Sequence, residues 1–275
     1  MGNIAFLLDR AIHMDHREIF RVADTIHRET GRSKAAVLAD IAHCAARYGA
    51  GFNDYLLCDF AHLTEEQRAT YVTRGVNQRL VALLNDPAAS HFFDSKSEFY
   101  RTFDGYLGRA WLDFSQADRQ AFAAFLAGRE EITVKPDDGT GGHGVEKLRV
   151  GDHPDTDALY QKLKADGVGV VEEVLSQHPA MASLNPASVN TLRIVTILKG
   201  EEAPIAYAHI RIGNGDKPVD NLHSGGMFSP IDLETGRILY PAYDKERNTF
   251  TRHPATGTEI PGFQIPFWQE SAALC

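Results

Sequence analysis

One stretch of the sequence, residues 185–196, decides the fold. It runs Asn185-Pro186-Ala187-Ser188-Val189-Asn190-Thr191-Leu192-Arg193-Ile194-Val195-Thr196. From Thr191 onward its apolar and β-branched residues predict a strand that continues to Leu198, and Ile205 to Ile212 predicts a second long strand. Each strand carries an arginine, Arg193 and Arg211, and periodicity alone leaves open whether these side chains face solvent or a bound anion.

A glycine-rich segment lies about 50 residues earlier. It contains Lys135-Pro136-Asp137-Asp138-Gly139-Thr140-Gly141-Gly142-His143-Gly144. Its four glycines permit positive φ and let backbone N–H groups approach an anion, while Lys135 adds an ammonium group at the end of a predicted strand. Because residues 145–150 alternate like a strand, the segment differs from a dinucleotide-binding turn, which leads into a helix. The residues predict either a flap over nucleotide phosphates or a plain glycine-rich hairpin.

A short apolar run from Val168 to Val174 predicts a buried strand that ends beside two carboxylates, Glu172 and Glu173. Such a strand can run along an adenine, with backbone groups toward the base and a carboxylate toward the ribose. Paired glutamates at the end of a strand are also commonly solvated, so this pattern alone leaves both interpretations open.

Taken together, these segments resemble the sugar-transfer-associated ATP-grasp family, whose members are often described as related to alpha-L-glutamate ligases. The resemblance rests on residues 178–196, the Val134-Lys135-Pro136 loop, Glu172-Glu173 and the loop at residues 221–226. It extends from about Tyr48 to Trp268. It implies an α+β ATP-grasp fold, in which two modules hold ATP between them.

The resemblance also implies roles for individual residues. Lys135 is the phosphate-binding lysine, and Lys96 is an earlier ATP-contacting lysine. The flap comprises Gly139, Thr140, Gly141, Gly142, His143 and Gly144, and the adenine hinge comprises Glu172, Glu173, Val174 and Leu175. Arg193 and Arg211 meet the γ-phosphate or an acyl phosphate, and Asn221 and His223 lie on the acceptor or phosphate side.

The metal ligands implied by the resemblance are harder to place. Family members bind Mg²⁺ with an acidic residue and a Glu-x-Asn pair, expected here after Trp268, whereas this sequence ends at Cys275. The Glu-x-Asn at residues 246–248 lies in a polar run that predicts a surface loop. Either the chain is a fragment or truncation that binds ATP weakly, which we favour, or other carboxylates such as Asp220 or Asp232 bind the metal.

The resemblance and the periodicity divide the chain into three regions. Residues 1–93 form an N-terminal helical region, residues 94–176 a small α/β module with the glycine-rich flap, and residues 177–275 a larger strand-rich module whose C-terminal end is expected to be missing. Further strands are predicted over residues 132–135, 227–233 and 237–240, the last two as a hairpin, and a helix over residues 155–165.

Four capping signals predict helix starts. Ser33 opens a helix that runs to Arg47 and is followed by Gly49. Thr64 with Gln67 opens a helix that reaches Leu84. Ser95 with Glu98 and Ser115 open the next two, the last ending at Leu126.

The charge balance excludes some partners. Lys and Arg number 28 and Asp and Glu number 37, for a net charge of −9, which argues against a main role on nucleic acid or an anionic membrane. The three cysteines fit no zinc or disulfide framework and favour a reducing, cytoplasmic setting. The first apolar run, residues 4–8, is too short for a signal or a membrane span.

The sequence therefore predicts an ATP-dependent ligase, with ATP and Mg²⁺ as cofactors, that joins a small-molecule carboxylate to an amine or hydroxyl through an acyl phosphate. The family name suggests cell-surface glycan or natural-product biosynthesis. A small-molecule or sugar kinase and a non-catalytic nucleotide-binding protein remain as alternatives. Removal of Lys135 is expected to weaken nucleotide binding without changing the stability of the nucleotide-free chain.

Overall fold

The computed structural model describes residues 16–138, 143–216 and 219–275. The predictions for residues 4–8 and for Gly139, Thr140, Gly141 and Gly142 concern residues outside these ranges. The chain divides after Pro87 into two compact units, the second beginning at Ala88.

The first unit is helical. It contains α1 (His16–Thr30), α2 (Lys34–Tyr48), α3 (Phe52–Leu57), α4 (Glu65–Arg68) and α5 (Arg74–Leu84), with a 3₁₀ turn at Phe60–His62. The apolar faces of α1, α2 and α3 meet in a core that includes Val22, Ile26, Val37, Ile41 and Tyr55. Burial of these side chains, rather than helix propensity, supplies most of the stability of such short helices.

Capping explains both a success and an error in this unit. The Oγ of Ser33 accepts the N–H of Ala36, and Gly49 ends α2 at φ +66°, as the sequence predicted. The Thr64–Gln67 capping box is also present, but the prediction of one helix to Leu84 was wrong. The helix ends at Arg68, and the side chain of Thr73 caps a separate helix by accepting the N–H of Val76.

The second unit contains two antiparallel sheets. Its helices are α6 (His91–Asp94), α7 (Lys96–Thr102), α8 (Asp104–Leu107), α9 (Arg119–Leu126), α10 (Thr156–Ala165), α11 (Pro179–Leu184) and α12 (Trp268–Ala273), with 3₁₀ turns at Val150–Asp152 and Leu222–Ser224 and another, Pro87–Ala89, at the division between the units. Ser95 caps α7 as predicted. The predicted cap at Ser115 was wrong, because Asp118 accepts the N–H of Ala121 and starts α9.

The first sheet has the order β1-β4-β2-β3, built from β1 (Trp111–Asp113), β2 (Glu131–Pro136), β3 (Glu146–Arg149) and β4 (Val168–Glu173). On one face Ile132, Val134 and Val171 are buried in a core that also takes residues from α9 and α10. Because side chains alternate between the faces of a strand, Thr133 and Lys135 point to the other face.

The second sheet has the order β5-β6-β7-β8-β9, built from β5 (Thr191–Thr196), β6 (Ile205–Ile212), β7 (Met227–Pro230), β8 (Ala242–Tyr243) and β9 (Thr249–Phe250). Ala208, Ile210 and Met227 pack one face against the rest of a core that includes Trp268. The opposite face carries the side chains of Arg193 and Arg211.

The prediction of a hairpin between strands at residues 227–233 and 237–240 was wrong. Strand β7 ends at Pro230 and pairs with β6 and β8, residues 237–240 form no strand, and the two predicted arms are joined by the isolated bridge between Ile231 and Ile238. The turn between them is closed by Asp232, whose Oδ1 accepts the backbone N–H and the hydroxyl of Thr235, both at 2.7 Å. Gly236 follows at φ +70°, where a Cβ would lie 2.3 Å from Cγ of Trp268.

Candidate functional site

Lys135 and Glu172 meet on the face of the first sheet that points away from its core. Lys135 is paired with Val170 and Thr133 with Glu172, so the lysine and the glutamate are diagonal neighbours on one face. The Nζ of Lys135 forms an ion pair with Oε1 of Glu172, and the two side chains are 18% and 5% exposed. The sequence placed Lys135 at the flap and Glu172 at the hinge, and the strand pairing joins them.

Two further side chains complete this cluster. The Nε of Arg109 lies 2.9 Å from Oε2 of Glu172. The hydroxyl of Tyr100 donates to the same oxygen at 2.6 Å and accepts the Nη2 of Arg109 at 2.7 Å. Two cations therefore share one carboxylate, so the cluster of these four side chains carries a net positive charge.

The environment fixes the protonation of this cluster. Burial of Glu172 opposes its ionisation, but Lys135, Tyr100 and Arg109 together hold the pKa of its carboxyl below the ordinary value. Burial raises the pKa of Tyr100 to about 12, and its hydrogen bond to Glu172 adds to the effect. At neutral pH the carboxylate is charged and the phenol is protonated.

Lys96 lies at the start of the glycine-rich segment. Its Nζ donates to the carbonyl oxygens of Asp138 at 3.0 Å and Asp137 at 3.3 Å. The carboxylate of Asp137 in turn accepts the hydroxyl of Ser95 and the N–H of Ser97, both at 2.8 Å. These bonds tie the beginning of α7 to the end of β2, which places Lys96 next to the predicted flap.

The glycines around this segment have steric roles. A Cβ on Gly169 would lie 2.4 Å from Cβ of Asp137 and 2.7 Å from its backbone nitrogen, so β4 passes close to the chain that leaves β2. At the other end Gly144 has φ +71°, and His143 before it is exposed. Both positions require a residue without a side chain.

The predicted adenine hinge begins where β4 ends. Glu172 is buried, whereas Glu173 and Leu175 are exposed. The N–H of Glu173 donates to the carbonyl of Ala110 at 2.9 Å. An open groove of about 440 Å³ is lined by residues 128–131 and by residues 173–176, which include Val174.

The two predicted arginines share one face of the second sheet but differ in their partners. Arg211 forms an ion pair of 2.8 Å with Asp220 and also donates to Oδ1 of Asn221. The side chain of Arg193 is exposed and makes no hydrogen bond or ion pair with any residue that the structure describes. Its charge is therefore available to an anion, whereas that of Arg211 is partly neutralised.

The motif that decides the fold proves to be mainly structural. The Nδ2 of Asn190 donates to the carbonyl of Met181 at 2.8 Å and to that of Asn185 at 3.1 Å, and its Oδ1 accepts the N–H of Gly213 at 3.0 Å. The side chain of Gln177 donates to the carbonyls of Asn185 and Ser188 at 2.8 and 2.7 Å. These bonds fix the turn that leads into β5 and so position Arg193.

The loop with Asn221 and His223 is tightly wound. His223 is exposed in the 3₁₀ turn Leu222–Ser224. Gly225 follows with φ +98°, and a Cβ on Gly226 would lie 2.3 Å from the carbonyl oxygen of Asp220. The loop thus brings Asn221 to Arg211 and leaves His223 toward solvent.

The carboxylates considered for a metal have other partners. Asp220 accepts the N–H and hydroxyl of Thr191 as well as Arg211, and Asp232 closes its own turn. Glu246 and Asn248 are exposed in the turn before β9, where Asp244 accepts both of their N–H groups at 2.9 Å. Across residues 16–138, 143–216 and 219–275, His, Cys, Asp and Glu form no group of three suited to a metal. The described residues do not fit a magnesium site.

Sequence reasoning missed Arg109, Tyr100 and His209. No local pattern marks the first two, because they reach Glu172 from 63 and 72 residues away. His209 had a usable signal, since it alternates with Arg211 along a predicted strand.

The C-terminal part of the chain matches the sequence model of a defined family. The model described as sugar-transfer associated ATP-grasp matches residues 155–275. Residues 155–275 are therefore similar in sequence to this ATP-grasp family. The match includes Glu172, Arg193 and Arg211, and the expected α+β ATP-grasp fold is confirmed by the family match together with the two antiparallel sheets.

A curated ATP-grasp relative is more distant. Glutathione synthetase of Citrobacter rodentium is 25% identical over 174 residues, which cover 62% of this chain and 49% of the relative. The chain thus spans about half the length of this relative. Among the described residues, no helix is long and apolar enough to cross a membrane.

Proposed function

We propose that the chain is an ATP-dependent ligase of the ATP-grasp type, which activates a small-molecule carboxylate as an acyl phosphate and joins it to an amine or hydroxyl. The observation that carries this proposal is the presence of cationic side chains on one face of each sheet of the second unit. Lys135 and Arg109 share one carboxylate on the first sheet, and Arg193 projects from the second without a described partner. The family match and the similarity to a glutathione synthetase support it.

Each group has a proposed task. Lys135 and Lys96 hold ATP phosphates, the backbone of Gly139 to Gly144 covers them, and Glu172 to Leu175 border the adenine. Arg193 and Arg211 neutralise the transferred phosphoryl group, while Asn221 and His223 orient the acceptor. Phosphoryl transfer depends chiefly on positioning and charge neutralisation, which these residue types supply.

The proposed roles are divided among the three regions that the sequence predicted. We propose residues 94–176 as the module that holds the nucleotide from one side and residues 177–275 as the module that presents the arginines, with the helical residues 1–93 as a separate region. Cell-surface glycan or natural-product assembly in the cytoplasm is the proposed setting.

The test is a hydroxylamine trap. The purified chain is incubated with ATP, magnesium and a panel of amino acids, hydroxy acids and uronic acids, and hydroxamate, ADP and phosphate are measured. We expect hydroxamate with at least one acid, and its loss in Lys135→Ala. The matched control is Lys147→Ala, because Lys147 pairs with Glu131 at 2.6 Å on β3 and is 49% exposed.

The other outcomes separate the alternatives. A stably phosphorylated product without hydroxamate overturns the ligase in favour of a kinase. Protection by ATP against heat without turnover overturns it in favour of a nucleotide-binding protein. If calorimetric titration detects no ATP binding at all, the assignment of the two cationic faces to a nucleotide is wrong.

A further inference from the structure

His209 lies between the two arginines of the second sheet. In the register of β5 and β6 its Cα is paired with that of Arg193, and Arg211 follows two residues later on the same strand. The three side chains therefore share one face, opposite to Ala208 and Ile210, which enter the core. A histidine here is within the field of both guanidinium groups.

Aromatic rings bound the imidazole on two sides. The ring of Tyr207 is nearly parallel to it, with centroids 6.1 Å apart, and Phe228 on β7 meets it edge-on at 5.9 Å. The two imidazole nitrogens of His209 form no hydrogen bond with any residue in the described part of the chain. The rings hold the half-buried imidazole in place and leave its nitrogens available to a bound molecule.

The charged groups that face His209 are few. Arg193 faces it from β5, and Arg211 and the phenol of Tyr207 lie on its own strand. On β7 its neighbours Phe228 and Pro230 cannot ionise. Beyond Phe228, the ring of Tyr243 on β8 has its centroid 6.5 Å from that of Phe228. Burial, followed by the charges of Arg193 and Arg211, lowers the pKa of His209. The imidazole is therefore neutral at neutral pH and can accept a proton.

We propose that His209 accepts the proton that an attacking amine must lose, at a site formed by its imidazole and the guanidinium groups of Arg193 and Arg211. This inference rests on the proposed ligase function and deepens it by naming the proton acceptor. It also specifies the nucleophile as an amine that is charged at neutral pH.

Amide formation removes two protons from the nitrogen of the charged amine. The ammonium form of the amine transfers one proton to an imidazole nitrogen of His209. The free amine attacks the acyl carbon of the acyl phosphate and forms the C–N bond, and the C–O bond to phosphate breaks with its electron pair on the departing phosphate. The second proton lost from nitrogen goes to solvent or phosphate, so an amide, phosphate and the protonated histidine remain.

Because of the two arginines, the basicity of His209 depends on whether the acyl phosphate is bound. While their charges are uncompensated they disfavour a further positive charge on His209. An acyl phosphate placed against Arg193 and Arg211 brings negative charge, which reduces that repulsion and favours the imidazolium form. His209 thus becomes a stronger base at the stage when the amine needs one.

The first test measures His209 itself. Imidazole resonances of the full chain are titrated by NMR with and without inorganic phosphate, and His209 is assigned by the signal lost in His209→Asn. We expect a midpoint below the ordinary value of about 6.5 that rises by about one pH unit with saturating phosphate. The exposed His178 serves as the internal control and should not move. A His209 midpoint unaffected by phosphate, or no phosphate binding, overturns the coupling.

The second test uses the acid identified by the hydroxylamine trap and compares two nucleophiles. Hydroxylamine is uncharged at neutral pH and needs no base, whereas glycine and methylamine must lose a proton. In His209→Asn we expect the ratio of amide to hydroxamate to fall ~100-fold. Tyr243→Phe should keep the ratio of the parent chain.

The outcomes distinguish this inference from the proposed function. Hydroxamate in every variant with an unchanged ratio, or no amide from the parent chain with either amine, overturns the role of His209 and leaves the ligase standing. No hydroxamate from the parent chain overturns the ligase itself, whatever the titration of His209 shows.

Discussion

Lys135 and Glu172 form a diagonal ion pair across β2 and β4, and the side chain of Glu172 is only 5% exposed. The lysine proposed to hold a phosphate is thus also the partner of a buried carboxylate. Since Arg109 binds the same carboxylate, loss of Glu172 leaves two cations without a carboxylate, whereas loss of Lys135 removes one of the two cations that offset the burial of Glu172. The stability of the site and its affinity for a nucleotide are therefore linked.

Lys135→Ala is predicted to weaken nucleotide binding and also to destabilise the nucleotide-free chain. Sequence alone led us to expect unchanged stability, but the ion pair with Glu172 argues otherwise. Because Arg109 and Tyr100 still contact the carboxylate, we expect a loss of about 2 kcal/mol, less than for a fully orphaned buried charge. Urea unfolding measures it, and Lys147→Ala is the control. Equal stability of Lys135→Ala and the parent chain contradicts the prediction.

Glu172→Gln is predicted to cost more, roughly 3 kcal/mol, since Lys135 and Arg109 then face each other without a carboxylate. The amide retains the shape and a hydrogen-bond acceptor for Tyr100, so the loss reports charge. The control is Glu173→Gln at the neighbouring exposed position, where we expect about 0.5 kcal/mol or less. Similar midpoints for the two variants in urea would show that the buried charge is unimportant.

Gly169→Ala tests the close approach of β4 to Asp137. A Cβ would lie 2.7 Å from the backbone of Asp137 and force that residue away. We expect a loss of roughly 1–3 kcal/mol and weaker ATP binding, because Asp137 positions Ser95, Ser97 and the segment that contacts Lys96. Gly151→Ala, with no atom within 4 Å of the added Cβ, is the control. If calorimetric titration finds the same affinity for ATP in both variants, the proposed link between the position of Asp137 and ATP binding is wrong.

Gly236→Ala and Gly257→Ala form a matched pair, since both glycines have nearly the same positive φ, +70° and +71°. The added Cβ collides with Trp268 at the first position and meets nothing within 4 Å at the second. Gly257→Ala should cost about 1 kcal/mol from backbone strain alone. Gly236→Ala should cost clearly more, and thermal unfolding of both variants measures the difference. Equal losses of stability in the two variants would mean that Trp268 can move away from the added Cβ at little energetic cost.

Acid should destabilise the first unit through Asp40. Burial raises the pKa of this carboxyl, but hydrogen bonds from Arg68, Tyr55 and Arg32 outweigh that effect and lower it to about 2. Because the pKa of Asp40 is lower in the folded state than in the unfolded state, its charged carboxylate stabilises the unit above pH ~4. This stabilisation is lost as the pH falls toward 2. Asp40→Asn should abolish this dependence.

Hydrogen exchange of α2 amides at pH 2 to 5 measures that effect and isolates the first unit. The control is Asp157→Asn, whose carboxylate is 68% exposed. The prediction fails if Asp40→Asn retains the same dependence on pH as the parent chain.

Local signals predicted local structure well. The caps at Ser33 and Ser95 mark real helices, and the helix predicted over residues 155–165 is present from Thr156 to Ala165. Residues 205–212 form the strand that their apolar run indicates. The error after Thr64 has a simple cause, because two capping residues nine positions apart compete and the second also starts a helix. Periodicity cannot rank such signals.

The site was only partly predictable for a different reason. Lys135, Arg193 and Arg211 stand at strand positions that a sequence displays directly. Arg109 and Tyr100 come from other elements and reach Glu172 through the tertiary fold, so no spacing announces them. The structural role of Asn190 was hidden as well, since its partners are mostly backbone atoms.

The hydrogen bonds of the Gln177 side chain restrict where the backbone between the two sheets can bend. By binding the carbonyls of Asn185 and Ser188 and the N–H of Asn190, it fastens the end of the connecting segment to the base of β5. Glu173 is fastened at the other end through β4. A rotation of one sheet relative to the other would therefore be concentrated in the backbone torsions of Val174, Leu175 and Ser176.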